Sequence, residues 1–204
     1  MKHLEFKHHP LCSLLLLLAC AIAAFADDPR LVLNTGGHTS VINKVIFTRD
    51  GKYLISAGDD KVIRVWEVAT GRLARTLQGE IGDGSAGKIF AMALSPDERI
   101  LAVGGWLAGD LPNRHAIRLH DFRTGAVVGL LKGHENVILA LAFAPDGRTL
   151  VSGSFDHTAR VWDLTTRQPA YPPLRGHTGF IYAVAFSPNG KRIVTGSDDA
   201  TLKL

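Results

Sequence analysis

Gly133-His134-Glu135-Asn136-Val137, then Ser152-Gly153-Ser154-Phe155-Asp156, then Val161-Trp162-Asp163, is the stretch that decides the fold, because the chain repeats it. His134 precedes Trp162 by 28 residues, and His38 precedes Trp66 by the same 28. A third pair, Gly176-His177, runs through Thr195-Gly196-Ser197-Asp198-Asp199 towards a tryptophan expected at residue 205, one position past Leu204. The chain is therefore expected to be a C-terminally truncated fragment that stops inside a strand. Gly-His and Trp-Asp recurring at roughly 40-residue spacing mark a repeat array.

Within the units, short apolar runs alternate with turns. The first has Ile42, Val45 and Phe47, the turn Thr48-Arg49-Asp50-Gly51, Tyr53-Leu54-Ile55-Ser56, the turn at Asp59-Asp60, Val62 to Glu67, and a last run from Arg72 to Leu77. Ala144-Pro145-Asp146-Gly147 and Ser187-Pro188-Asn189-Gly190 repeat the first turn. β-Branched runs broken by Gly/Asp turns predict strands, and no apolar period of 3.6 survives between turns to support a helix. Proline presets the first turn dihedral, and glycine adopts the left-handed conformation that joins antiparallel strands. In Ser95-Pro96-Asp97-Glu98 glutamate stands in the glycine position, a strain on the order of 1 kcal/mol. The pattern predicts an all-β chain, a partial β-propeller of four-stranded antiparallel blades. Its units fall at residues 37–78, 79–132, 133–175 and 176–204, the last incomplete.

The N-terminus is a separate object. Lys2 and Lys7 precede an uncharged run from Leu11 to Ala26, with small residues at Ala24 and Ala26 and then Asp27-Asp28-Pro29. This is the layout of a cleavable signal peptide over residues 1–26, and the run is shorter than the roughly 18–20 residues of a spanning helix. The expectation is a periplasmic or secreted protein with no membrane span in the mature chain. Lipid attachment at Cys20, after Leu17-Leu18-Ala19, and an uncleaved anchor are the alternatives. Both cysteines of the chain, Cys12 and Cys20, lie in this leader, so the mature protein is expected to lack disulfides and thiol chemistry. Removing the leader lowers the formal charge of +4 by one. No basic run of five or more appears, which argues against nucleic acid.

These residues closely resemble the WD-repeat family from Leu31 to Leu204, and the leader adds the expectation of an exported, bacterial-type member. The resemblance implies that Leu31-Val32-Leu33 is an outer strand. It also implies that His38, Ser56, Asp60 and Trp66, then His134, Ser152, Asp156 and Trp162, then His177, Thr195 and Asp199, are structural hydrogen-bond tetrads. In that arrangement the indole N–H donates to the hydroxyl, the hydroxyl to histidine, and histidine to aspartate. A Ser-His-Asp trio suggests a hydrolase, but recurrence in blade after blade favours the structural reading. No catalytic, cofactor-binding or metal residue is assigned, and no cofactor is expected.

The second unit is irregular. Gln78-Gly79-Glu80 replaces the Gly-His pair, Leu119-His120-Asp121 replaces the tryptophan end, and Arg114 falls at the turn aspartate. Five extra residues lie between Glu80 and Pro96 and seven between Gly105 and Ile117. This blade is expected to lack the hydrogen-bond chain, so that His120 matters little. Trp106, in the second insertion, either anchors a partner or folds back into the space of the absent tryptophan. His115 and His120 are read as lying on opposite faces of one strand, a poor metal pair, and His157 as a freely variable turn residue.

Family correspondence places the partner-binding top face at Val41, Asn43, Asp59, Lys88, Phe90, Trp106, Val137, Leu139, Phe155, Phe180, Tyr182 and Asp198. The function implied is a non-enzymatic scaffold that binds a protein or peptide. The alternative is a regulatory propeller of a larger protein whose effector domain, such as a caspase-like peptidase or kinase, lies elsewhere in the polypeptide.

Overall fold

The computed structural model describes residues 37–78, 83–106 and 115–204. The leader, the strand expected at Leu31-Val32-Leu33, Glu80, Arg114 and much of both insertions lie outside the described residues. Fifteen strands and no helix are found among the described residues, so none contains a helix long and apolar enough to cross a membrane.

The first sheet is β1 (Ile42–Phe47), β2 (Tyr53–Gly58), β3 (Val62–Glu67) and β4 (Leu73–Gln78), side by side in chain order. The second holds β5 (Lys88–Leu94), β6 (Ile100–Trp106), β7 (Ile117–Asp121) and β8 (Val127–Leu131). β9 (Ile138–Phe143), β10 (Thr149–Ser154), β11 (Ala159–Asp163) and β12 (Gln168–Pro169) form the third. The fourth has three strands, β13 (Ile181–Phe186), β14 (Ile193–Ser197) and β15 (Leu202–Lys203). Every pairing is antiparallel, and β1, β5, β9 and β13 pack against one another in sequence. These are successive blades of a propeller with the first strand of each blade innermost. The short β12, which contains Pro169 and is soon followed by Pro172 and Pro173, lies at a sheet edge, where a missing N–H is tolerated.

One contact recurs at each junction. Ile89, Ile138 and Ile181, near the start of each inner strand, are almost fully buried. Each faces a small residue of the preceding blade. A β-carbon at Gly104 would stand 2.7 Å from Ile138 Cγ2, and one at Gly153 2.6 Å from Ile181 Cγ2. Ala57 holds the matching position in blade one and shares a core cluster with Ile89. The apolar core accordingly divides into three clusters, one per junction. Ile42, the same residue in blade one, is 49% exposed.

The turns at the opposite end also touch. Gly51, Gly147 and Gly190 share φ = +69°, and Glu98 takes the same place at +57°, the left-handed region in which a side chain is strained. A β-carbon at Gly147 would lie 3.5 Å from Pro96 Cδ, and one at Gly190 3.6 Å from Pro145 Cδ. The proline of one turn therefore rests on the glycine of the next. Between blades one and two both residues differ, and the Arg49 N–H donates to Glu98 Oε1. Proline has no N–H and glycine no carboxylate, so this bond requires both exceptions together. It offsets part of the strain at Glu98.

Arg49→Pro and Glu98→Gly are therefore expected to be coupled. Urea midpoints of the four-member cycle should give an interaction of roughly 0.5–1.5 kcal/mol. Additivity within about 0.3 kcal/mol would exclude the bond.

Candidate functional site

The connections β2–β3, β6–β7, β10–β11 and β14–β15 define one end of the blades, the top. The turn aspartates stand here, each binding a histidine that precedes an inner strand. In blade three, His134 Nδ1 lies 2.7 Å from Asp156 Oδ2, His134 Nε2 lies 2.7 Å from Ser152 Oγ, and Trp162 Nε1 lies 2.8 Å from Ser152 Oγ. An indole N–H only donates. Ser152 must therefore accept it and give its own proton to Nε2, leaving Nδ1–H for Asp156. In blade one, His38 lies 2.8 Å from Asp60 and 2.7 Å from Ser56, and Trp66 2.7 Å from Ser56. In blade four, His177 lies 2.9 Å from Asp199 and 2.8 Å from Thr195.

The aspartates are tied differently. Thr158 N and Oγ1 bind Asp156, and Thr201 N and Oγ1 bind Asp199. Blade one has Val62 in that position, and Arg64 Nη1 donates to Asp60 Oδ2 at 2.6 Å instead. Burial pushes the Asp156 carboxyl up, but the His134 hydrogen bond, with Thr158 and the Glu135 N–H, outweighs it and holds the group well below the carboxylate range. The Thr201 hydroxyl, aided by His177 and against burial, does the same for Asp199. Burial lowers His134 despite Asp156. In blade three the lowered His134 is thus neutral at pH 7 beside an ionised Asp156.

Blade two departs from this. Leu101 pairs with His120 as Leu54 does with Trp66 and Leu150 with Trp162, so His120 occupies the tryptophan register. Val103, buried, stands where the hydroxyl would be. The chain of hydrogen bonds is absent from this blade; His120 is nonetheless buried, and its Nδ1–H donates to Gly125 O at 3.1 Å. Burial and the Arg118 charge lower its pKa, against that bond. His115 lies in a turn before β7 and not on a strand with His120, because pairing of β7 begins only at Ile117. Among the described residues no group of three or more His, Cys, Asp or Glu is placed to hold a metal ion.

The top-face residues fall into two groups. At the first junction, Asn43 Nδ2 donates to Asp59 Oδ1 at 2.7 Å and to Ile89 O at 3.0 Å, and Lys88 Nζ lies 2.7 Å from Asp59 Oδ2. The Lys88 bond, with help from Asn43 and against burial, holds the Asp59 carboxyl below its ordinary value. The three residues thus clasp blade one to blade two. At the third junction Phe155 and Phe180 stack at 4.2 Å and 25°. Tyr182, 52% exposed, stands edge-on to both at 6.2 and 6.4 Å, and His157 stands edge-on to Phe180 at 5.4 Å. His157 was missed by sequence reasoning, since a turn residue at φ = +66° carries no pattern that predicts a ring contact.

Val41 and Asp198 are exposed, and Phe90 and Leu139 half-buried. Val137 is corrected: at 1% exposed it lies within its junction and offers nothing to a partner. Its carbonyl is taken by Phe155 N and Ser154 Oγ, which draws this part of the chain against its own blade. Trp106 ends β6 at the top, 40% exposed. Five residues separate it from Leu101, about 16 Å of strand, so it does not fill the tryptophan space beside His120.

His134→Ala is expected to lower stability by roughly 1–3 kcal/mol, because Ser152 and Asp156 lose their shared partner. Ser152→Ala should cost about as much, and the double variant less than the sum, measured by urea denaturation. The pH dependence follows from the two lowered histidines. A base whose folded pKa lies below the ordinary 6.5 contributes fully above that value and progressively less as pH falls below it. The urea midpoint should therefore drop from pH 7.5 to 5.5, and His120→Leu should flatten the slope.

Comparison with known proteins agrees with this geometry. The family model described as WD domain, G-beta repeat, matches residues 23–67, 125–163 and 170–204, more than half of the chain. The interval it leaves out, between 67 and 125, holds β5, β6 and β7 of the irregular second blade. The target of rapamycin complex subunit wat1 of Schizosaccharomyces pombe is 35% identical over 113 residues, 54% of this chain and 32% of that protein. The nuclear distribution protein PAC1-2 of Uncinocarpus reesii is 33% identical over 140 residues, 63% of this chain and 30% of that protein. A serine-threonine kinase receptor-associated protein of Gallus gallus is 29% identical over 163 residues, 63% of this chain and 44% of that protein. The chain spans about a third of the length of the first two.

Proposed function

The chain belongs to the WD domain, G-beta repeat family, and from that premise we propose that it is a non-enzymatic scaffold holding a protein or peptide on its top face. The observation that carries this is the use made of the Ser-His-Asp trios. Ser56 and Ser152 are buried and accept the indole N–H of Trp66 and Trp162. A nucleophile must reach its substrate, and these hydroxyls face their own blades. The rigid blades leave a surface as the working part. Relatives named as a complex subunit and as a receptor-associated protein fit such a role, and the family supports it by analogy.

On that surface the third junction is the better candidate. Asp59, Lys88 and Asn43 are engaged with one another, whereas Phe155, Phe180 and Tyr182 form an aromatic patch beside Asp198. Aromatic side chains dominate interface energetics. Export remains part of this proposal and is supported by the signal-like sequence at residues 1–26, with lipid attachment at Cys20 or an uncleaved anchor as its alternatives.

The test is a pull-down with the full-length protein. Phe180→Ala/Tyr182→Ala is expected to lose the partner at unchanged fold. Arg148→Ala/Lys191→Ala, exposed at the opposite end, should keep it. The reverse result would refute the top-face reading.

A further inference from the structure

The second junction holds a cation that the blades themselves do not pair. Arg64 and Arg160 occupy the same place in blades one and three, opposite Ser56 and Ser152. Arg64 Nη1 donates to Asp60 Oδ2 at 2.6 Å. Asp156 is already full: Thr158 N and Oγ1 bind its Oδ1, and His134 Nδ1 and Glu135 N bind its Oδ2. Among the described residues none accepts a hydrogen bond or an ion pair from the Arg160 guanidinium, and its Nε is buried without a partner. The side chain is half-buried near the top end of β11. A β-carbon at Gly133 would stand 3.0 Å from Arg160 Nη1 and 3.2 Å from Trp162 Cη2. The guanidinium therefore lies over the β8–β9 connection with the indole at its side. That connection also carries exposed Lys132, and its one acid, Glu135, is exposed and forms no ion pair with Arg160.

We infer that Arg160 takes a carboxylate side chain of the protein or peptide partner, glutamate or aspartate, and this rests on the scaffold reading above. A guanidinium partly withdrawn from water gains most from an anion that replaces its lost hydration. An apolar side chain seated there would cover the charge without pairing it, and a basic one would be repelled by Arg160 and Lys132. The planar fork of arginine matches a carboxylate, and the molecule makes that match itself where Arg64 meets Asp60. A phosphorylated side chain carries up to two charges and calls for a cluster of arginines, whereas this spot offers one. Thr158 is what keeps the group available. Blade one has Val62 in its place, and there the arginine closes onto its own aspartate.

The test uses the full chain with isotope-labelled arginine, followed by the NMR resonances of the Nε–H groups, and two capped tripeptides, acetyl-Gly-Glu-Gly-amide and its neutral glutamine counterpart. The glutamate peptide is expected to shift the Arg160 resonance saturably, and the glutamine peptide to bind clearly less well. Arg64, already paired with Asp60, should not move and serves as the internal control. Thr158→Val copies blade one and lets Asp156 draw Arg160 in, so it should weaken glutamate binding by roughly fivefold, the worth of an exposed ion pair. In the pull-down Arg160→Gln should weaken capture of the partner at unchanged fold. Equal binding of both peptides, no response at Arg160, indifference to Thr158→Val, unchanged capture by Arg160→Gln, or a phosphoserine counterpart bound about tenfold more tightly than glutamate would overturn the inference. Such a result with the partner still captured through Phe180 and Tyr182 would refute the acidic ligand alone and leave the scaffold reading standing.

Discussion

The structure depends on how closely one blade approaches the next. An isoleucine near the start of each inner strand, Ile89, Ile138 or Ile181, sits where the preceding blade carries Ala57, Gly104 or Gly153. At Gly104 and Gly153 a β-carbon would fall well inside van der Waals distance of the incoming isoleucine, and overpacking of that kind destabilises by about 1–3 kcal/mol. The small residues let the sheets come together, and three apolar clusters form between them. Stability in such an array is a property of neighbours more than of single blades.

That packing explains why polar groups can be buried within the blades. The tetrads place an imidazole and a hydroxyl, and in blades one and three an indole N–H, out of water, which is tolerable only because each donor and acceptor is matched. Blade two reaches the same end differently. Val103 removes the hydroxyl, His120 replaces the indole, and one bond to Gly125 O satisfies the imidazole. A smaller polar set needs fewer partners, so the blade keeps its register without the full chain. The Arg49–Glu98 bond, at the opposite end, belongs to the same blade pair.

The top face divides along the same logic. Where junction residues are charged they neutralise each other, as Asp59 and Lys88 do, and the surface is closed by its own contacts. Where they are aromatic, as Phe155 and Phe180 are, stacking holds the junction, with His157 edge-on beside it and exposed.

The blades were legible in the sequence because their signals are local: alternation within a strand, glycine or its substitute at φ > 0, and a histidine-to-tryptophan interval of constant length. The members of each tetrad could be located for the same reason, since a fixed number of residues in regular strands gives a fixed position. The junctions were not legible. Asp59 meets Lys88 and Phe155 meets Phe180 across separate sheets, and which side chains meet there depends on the rotation and spacing of those sheets. Burial of Val137, the ring contact of His157 and the distance of Trp106 from His120 all follow from that arrangement. Strand periodicity determines which way a side chain points from its own sheet, and only the packed blades decide what it meets.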